Sequence, residues 1–147
     1  MDHDKVEILL VEDNPNDVEL TLHALNKNRL TNKVHVARDG EEALNFLFGS
    51  GHGEVTDVGP GPKVILLDLK LPKVDGLEVL RRIKGNPRTK TIPVVVLTSS
   101  NEERDIAETY TLGVNSYIVK PVDFVKFVEA MHTLGMYWLM LNRPLQD

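Results

Sequence analysis

Five short apolar runs set the frame for everything else in this chain: VEILLV (6–11), KVHVA (33–37), KVILLD (63–68), IPVVVLT (92–98) and SYIVK (116–120). They are largely continuous apolar stretches rather than alternating ones, as expected of strands buried on both faces. Helical patterns separate them, so β-α repeats five times. That order predicts an α/β, doubly wound parallel sheet with helices covering both faces.

The helical patterns are specific. Asn14 offers an N-cap oxygen and Pro15 suits the first helical position. Val18, Leu22 and Leu25 then share one helix face. Asp39-Gly40 reads as a turn before Ala43, Leu44, Leu47 and Phe48. Gly76, Val79, Leu80 and Ile83 mark a third helix. A polar helix is expected near 102–112, closed by Gly113. A final helix starts near Asp123, with Phe124, Phe127, Val128, Met131 and Leu134 on one stripe. The Gly/Pro-rich stretch 49–62 is long for a loop inside a compact domain.

Length bounds the answer. With 147 residues, 41% hydrophobic and 27% charged, one domain is expected. Its core would span about 5–133, followed by an extended C-terminal helix and tail (134–147). A formal net charge of −5 gives no global positive field for nucleic acid. No apolar run nears the ~20 residues a membrane span needs, and the N-terminus shows no signal pattern. The absence of cysteine removes disulfides, thiolate zinc sites and thiol catalysis. A cytoplasmic protein is the expectation. The five histidines (3, 23, 35, 52, 132) lack metal-ligand spacing.

The chemistry sits at the strand ends. Glu12 and Asp13 follow the first strand, Asp68 ends the third, Thr98 ends the fourth and Lys120 ends the fifth. Ligands of open parallel sheets bind beyond these carboxyl ends, and in the strand order 2-1-3-4-5 the five groups would converge. Three close carboxylates repel unless a cation shares them. Oxygen ligands with room for water and phosphate suit Mg²⁺. A carboxylate can form an acyl phosphate, Thr98 could hydrogen-bond a phosphoryl oxygen, and Lys120 could neutralise its charge. Asp68 is thus a candidate phosphoacceptor.

These pieces resemble the response-regulator receiver domains of two-component signalling, a flavodoxin-like fold. LLVEDNPND, ILLDLKLPKVDG, VVVLTSS and YIVKP occur in order and at matching strand ends, over about residues 5–133. The resemblance implies that Asp68 accepts a phosphoryl group from a sensor histidine kinase. It implies that Glu12, Asp13, Asp68 and the Lys70 backbone carbonyl hold Mg²⁺. It further implies that Thr98 and Tyr117 form a switch, that Lys70 and Ser100 tune phosphate lifetime, and that Lys120-Pro121 is cis. A closer resemblance is to single-domain regulators that partner bacterial phytochromes. These share the loop before the third strand and an aromatic-Trp-Leu tail, here MYWLMLNRPL.

The tail carries its own expectation. MYWLML is apolar on every side, which a single small domain has little to cover. A homodimer through the last helix is expected, with Tyr137, Trp138, Met140 and Leu141 at the interface. Folding back over its own domain is the alternative. Two other classes stay open for the whole chain. One is a phosphorylation-independent binding module. The other is a Mg²⁺-dependent aspartyl-phosphate phosphohydrolase, which wants an acid where Lys70 stands.

Overall fold

The computed structural model describes residues 6–26, 34–49, 61–99 and 111–136. Five strands form one parallel sheet: β1 (Ile8–Val11), β2 (Val34–Ala37), β3 (Val64–Asp68), β4 (Val94–Thr98) and β5 (Ser116–Val119). Their order is β2-β1-β3-β4-β5, as expected from the β-α alternation. Four helices are described: α1 (Pro15–Asn26), α2 (Gly40–Phe48), α3 (Gly76–Lys84) and α4 (Phe124–Thr133).

Local chemistry starts each helix. Asn14 Oδ1 accepts from the Asp17 backbone N–H at 3.1 Å, capping α1 as its sequence predicts. Asp75 and Asp123 cap α3 and α4 in the same way. Asp39, part of a turn by its sequence, is the N-cap of α2, accepting from Glu42 N–H at 2.7 Å. A turn and an N-cap both favour Asp, so composition alone does not separate them.

The sheet divides the core in two. Leu9, Val11, Ile65, Leu67, Val94 and Val96 point to the side covered by α2 and α3, where Leu44, Leu80 and Ile83 meet them. Ile8, Leu10, Val64, Leu66, Val95 and Leu97 point to the other side, against Val18, Leu25, Phe127 and Met131 of α1 and α4. Alternate residues of each strand face opposite layers, and both layers are apolar. This is why the runs are continuous. Complete burial of one such Leu or Ile side chain stabilises by roughly 1.5–3 kcal/mol.

Gly76 has a steric reason. A Cβ there would lie 2.4 Å from the Asp68 carbonyl oxygen and 2.4 Å from Leu69 Cα. Only glycine lets the start of α3 pack this closely on the end of β3. At the opposite end of the sheet, half-buried Lys84 donates to the carbonyls of Lys90 (3.2 Å) and Ile92 (2.9 Å). Burial lowers its pKa.

The last helix closes at Gly135. Gly135 has φ 71°, its N–H donates to His132 O at 3.0 Å, and Met136 N–H donates to Met131 O at 2.8 Å. That pair of bonds is a Schellman motif, which satisfies carbonyls the helix end would otherwise orphan. The dimer residues Tyr137, Trp138, Met140 and Leu141 lie outside the described residues, as do Ser100, most of the helix expected at 102–112, and residues 50–60 of the long loop. Gly113, expected to close that helix, has φ 98°.

Candidate functional site

Strand register brings the expected groups together. Val11 pairs with Leu67 across β1 and β3, so Glu12 and Asp68 follow on neighbouring strand ends. Thr98 pairs with Val119 across β4 and β5, and the Lys120 backbone N–H donates to Thr98 O at 2.7 Å. Lys120-Pro121 is cis, as the resemblance implied.

Lys120 is the hub. Its ammonium donates to Glu12 Oε1 (2.9 Å), Asp17 Oδ2 (2.9 Å) and Asp68 Oδ2 (3.1 Å). An ammonium has three donors, so all are engaged. Glu12 is fully buried, with Oε2 accepting from the Asn14 N–H at 3.1 Å. Asp68 is buried too, and Oδ1 accepts from the Lys70 N–H at 3.1 Å. Both carboxylates thus keep hydrogen bonds on each oxygen, which is what makes buried charge tolerable.

Protonation follows from burial and neighbours. Burial raises the Glu12 carboxyl from 4.5 to about 7; the Lys120 hydrogen bond opposes this and the Asp68 charge adds to it. Burial pulls the Lys120 ammonium down, but its hydrogen bonds to Asp17, Glu12 and Asp68 outweigh that and leave it well above its ordinary value.

Glu12, Asp13 and Asp68 each offer a carboxylate oxygen, all within 4.8 Å of one another. Three hard oxygen donors so close fit a divalent cation such as Mg²⁺. Asp13 is exposed, leaving one side of the cluster open to water and ligands. A cleft of about 550 Å³ opens there, lined by Asp13, Lys70, Pro72 and Asp75 among others. Thr98 is buried at the end of β4, and Tyr117 is half-buried on β5. Lys70 is exposed in the loop after β3.

Asp17 was not foreseen. An acid in the first turn of a helix is explained by the helix dipole alone, so nothing in the sequence singled it out. Its five-residue spacing from Glu12, across the Asn14-Pro15 cap, is the one available signal.

The model of the response regulator receiver domain matches residues 8–132, and the chain belongs to that family. Response regulator Rcp1 of Synechocystis sp. is 42% identical over 132 residues, covering 90% of this chain and 88% of Rcp1. The Mn²⁺-bound form of Rcp1 superposes with a TM-score of 0.71 at 39% identity, covering 97% of this chain and 99% of that one. The bacteriophytochrome response regulator AtBRR gives 0.79 at 56% identity, over 94% and 98% of the two chains. The phosphorylated cyanobacterial phytochrome response regulator RcpA gives 0.72 at 40% identity, over 91% and 94%. Among the described residues, no helix is long and apolar enough to cross a membrane.

Proposed function

We propose that this chain is a phosphoacceptor switch of two-component signalling, taking a phosphoryl group from a sensor histidine kinase onto Asp68. The observation that carries this reading is Lys120 Nζ, held 3.1 Å from Asp68 Oδ2 beside three clustered carboxylates.

Asp68 Oδ attacks phosphorus, forming a P–O bond as the P–N bond to the kinase imidazole breaks. The leaving nitrogen takes a proton from solvent. The result is an acyl phosphate, so the protein is consumed and regenerated as a signal rather than turning over a substrate. Glu12, Asp13, Asp68 and the Lys70 carbonyl would hold Mg²⁺, which offsets charge on the phosphoryl oxygens. Lys120 neutralises the remaining charge and Thr98 donates a hydrogen bond. The shift of Thr98, transmitted to Tyr117, is the switch.

Similarity to AtBRR and RcpA supports a bacterial phytochrome as the kinase. Similarity to Mn²⁺-bound Rcp1 supports the cation. We place the whole chain in one receiver domain that works in the cytoplasm, without nucleic acid, as a homodimer through its last helix and tail. Sedimentation of wild type against Trp138→Glu tests the dimer, and equal monomer masses would sink it.

The main test is intact mass after incubation with acetyl phosphate and Mg²⁺. One phosphoryl adduct on wild type and none on Asp68→Asn is expected. A wild type that never gains mass, with Mn²⁺ bound and rapid quenching, would favour a receiver-shaped binding module. Phosphotransfer from a light-switched phytochrome kinase then tests the partner.

A further inference from the structure

We infer that Asp17 is a positioning residue of this site, holding the Lys120 ammonium in the cleft without ligating the cation. The inference rests on the phosphoacceptor reading, and it concerns a residue to which neither the motif nor the resemblance gave a role.

The geometry separates Asp17 from the other acids. Lys120 Nζ touches three carboxylates, at 2.9 Å, 2.9 Å and 3.1 Å. Two of them, Glu12 and Asp68, belong to the carboxylate cluster that fits a cation. Asp17 does not belong to it. Lysine and cation therefore compete for Glu12 and Asp68, and Asp17 is the one partner the lysine can keep when the cation arrives.

Asp17 is also built to hold. Its backbone N–H donates to Asn14 Oδ1, so the residue is fixed in the capped first turn of α1. Its side chain is 29% exposed against 12% for Lys120, so it approaches the ammonium from the solvent side.

The consequence has a sign. Without the Asp17 charge, Lys120 leans on Glu12 and Asp68 alone. A cation must then displace a more tightly held ammonium. The lysine is also less well placed to meet the phosphoryl oxygens afterwards. Cation affinity and the rate of adduct formation both fall.

The test compares Asp17→Asn with Glu19→Gln in the full chain. Glu19 is exposed on the same helix and its substitution removes the same charge without touching Lys120. Mn²⁺ binding is read by electron paramagnetic resonance of the free ion, which needs no phosphoryl transfer. Asp17→Asn is expected to weaken Mn²⁺ binding about ten-fold, the scale of one charge-assisted hydrogen bond, and Glu19→Gln to change it less than about two-fold. Adduct formation from acetyl phosphate at saturating Mn²⁺ should slow in Asp17→Asn only. Equal effects of the two variants would mean bulk electrostatics and overturn the inference, as would an unchanged Asp17→Asn. Because Asn is isosteric, a matching thermal melt keeps loss of fold out of the comparison. Failure of the phosphoacceptor reading shows separately, as a wild type that binds Mn²⁺ but gains no mass.

Discussion

Lys120 and Asp68 lie 52 residues apart in sequence, and the Lys120 ammonium donates to Asp68 Oδ2 at 3.1 Å. The contact joins the ends of two strands that are not neighbours, since β4 lies between them. Only a side chain as long as lysine, at the end of β5, bridges that gap. Its charge offsets the negative charge that Glu12 and Asp68 bring below the surface.

Removing that charge should be costly. In Lys120→Met, Glu12 and Asp68 lose their shared cation while staying buried. A loss of about 3 kcal/mol is expected, as for breaking a buried ion pair. Saturating Mg²⁺ should restore part of it. Urea unfolding with and without Mg²⁺ measures both effects, and a variant as stable as wild type would contradict the picture.

Glu12 predicts a pH dependence. Its carboxyl rises from 4.5 to about 7 on folding, chiefly through burial. Between those values the folded chain holds a proton that the unfolded chain has released. Stability therefore falls as pH rises through the window and levels off above it. The urea midpoint of the cation-free protein at either end of the window checks the sign. Mg²⁺ should flatten the dependence, because it takes the proton's place.

Gly76→Ala tests how tightly the site is packed from behind. The new methyl would meet the Asp68 carbonyl oxygen and Leu69 Cα, both backbone. Backbone cannot rotate away, so a loss of about 3 kcal/mol is expected, at the upper end for overpacking. Weaker Mg²⁺ binding should accompany it, because the same peptide carries Asp68. A melting temperature equal to wild type would refute this.

Lys84→Met supplies the contrast. Two carbonyls at the far end of the sheet lose a donor, for about 1 kcal/mol of stability. Adduct formation and Mn²⁺ affinity should stay at wild-type values. A change in either would mean that the two ends of the sheet are coupled.

Much of this was readable from the chain because parallel strands buried on both faces leave an unbroken apolar signature. Val64 to Leu67, all buried, show it most clearly. In the first, third, fourth and fifth runs, the residue at which the run turns polar was then the residue at the site. Asp17 escaped because its position carries an ordinary helical explanation. Its partner stands 103 residues away, and a distance of that kind is set by packing rather than by local pattern. Asp39 was misplaced for a related reason: a turn and a cap use the same side-chain oxygen.

The division of the core by the sheet has a further consequence, for motion. Leu9 and Leu10 are adjacent in sequence yet belong to different apolar layers. The sheet acts as a partition. A disturbance passing through Ile118 and Phe127 stays in the layer of α1 and α4, whereas one passing through Tyr117 enters the layer of Leu44 and Leu80. Hydrogen exchange should accordingly resolve three tiers: α1 with α4, α2 with α3, and the strands last. A molecule arranged in this way can loosen one flank to report its state while the other flank keeps the whole chain folded.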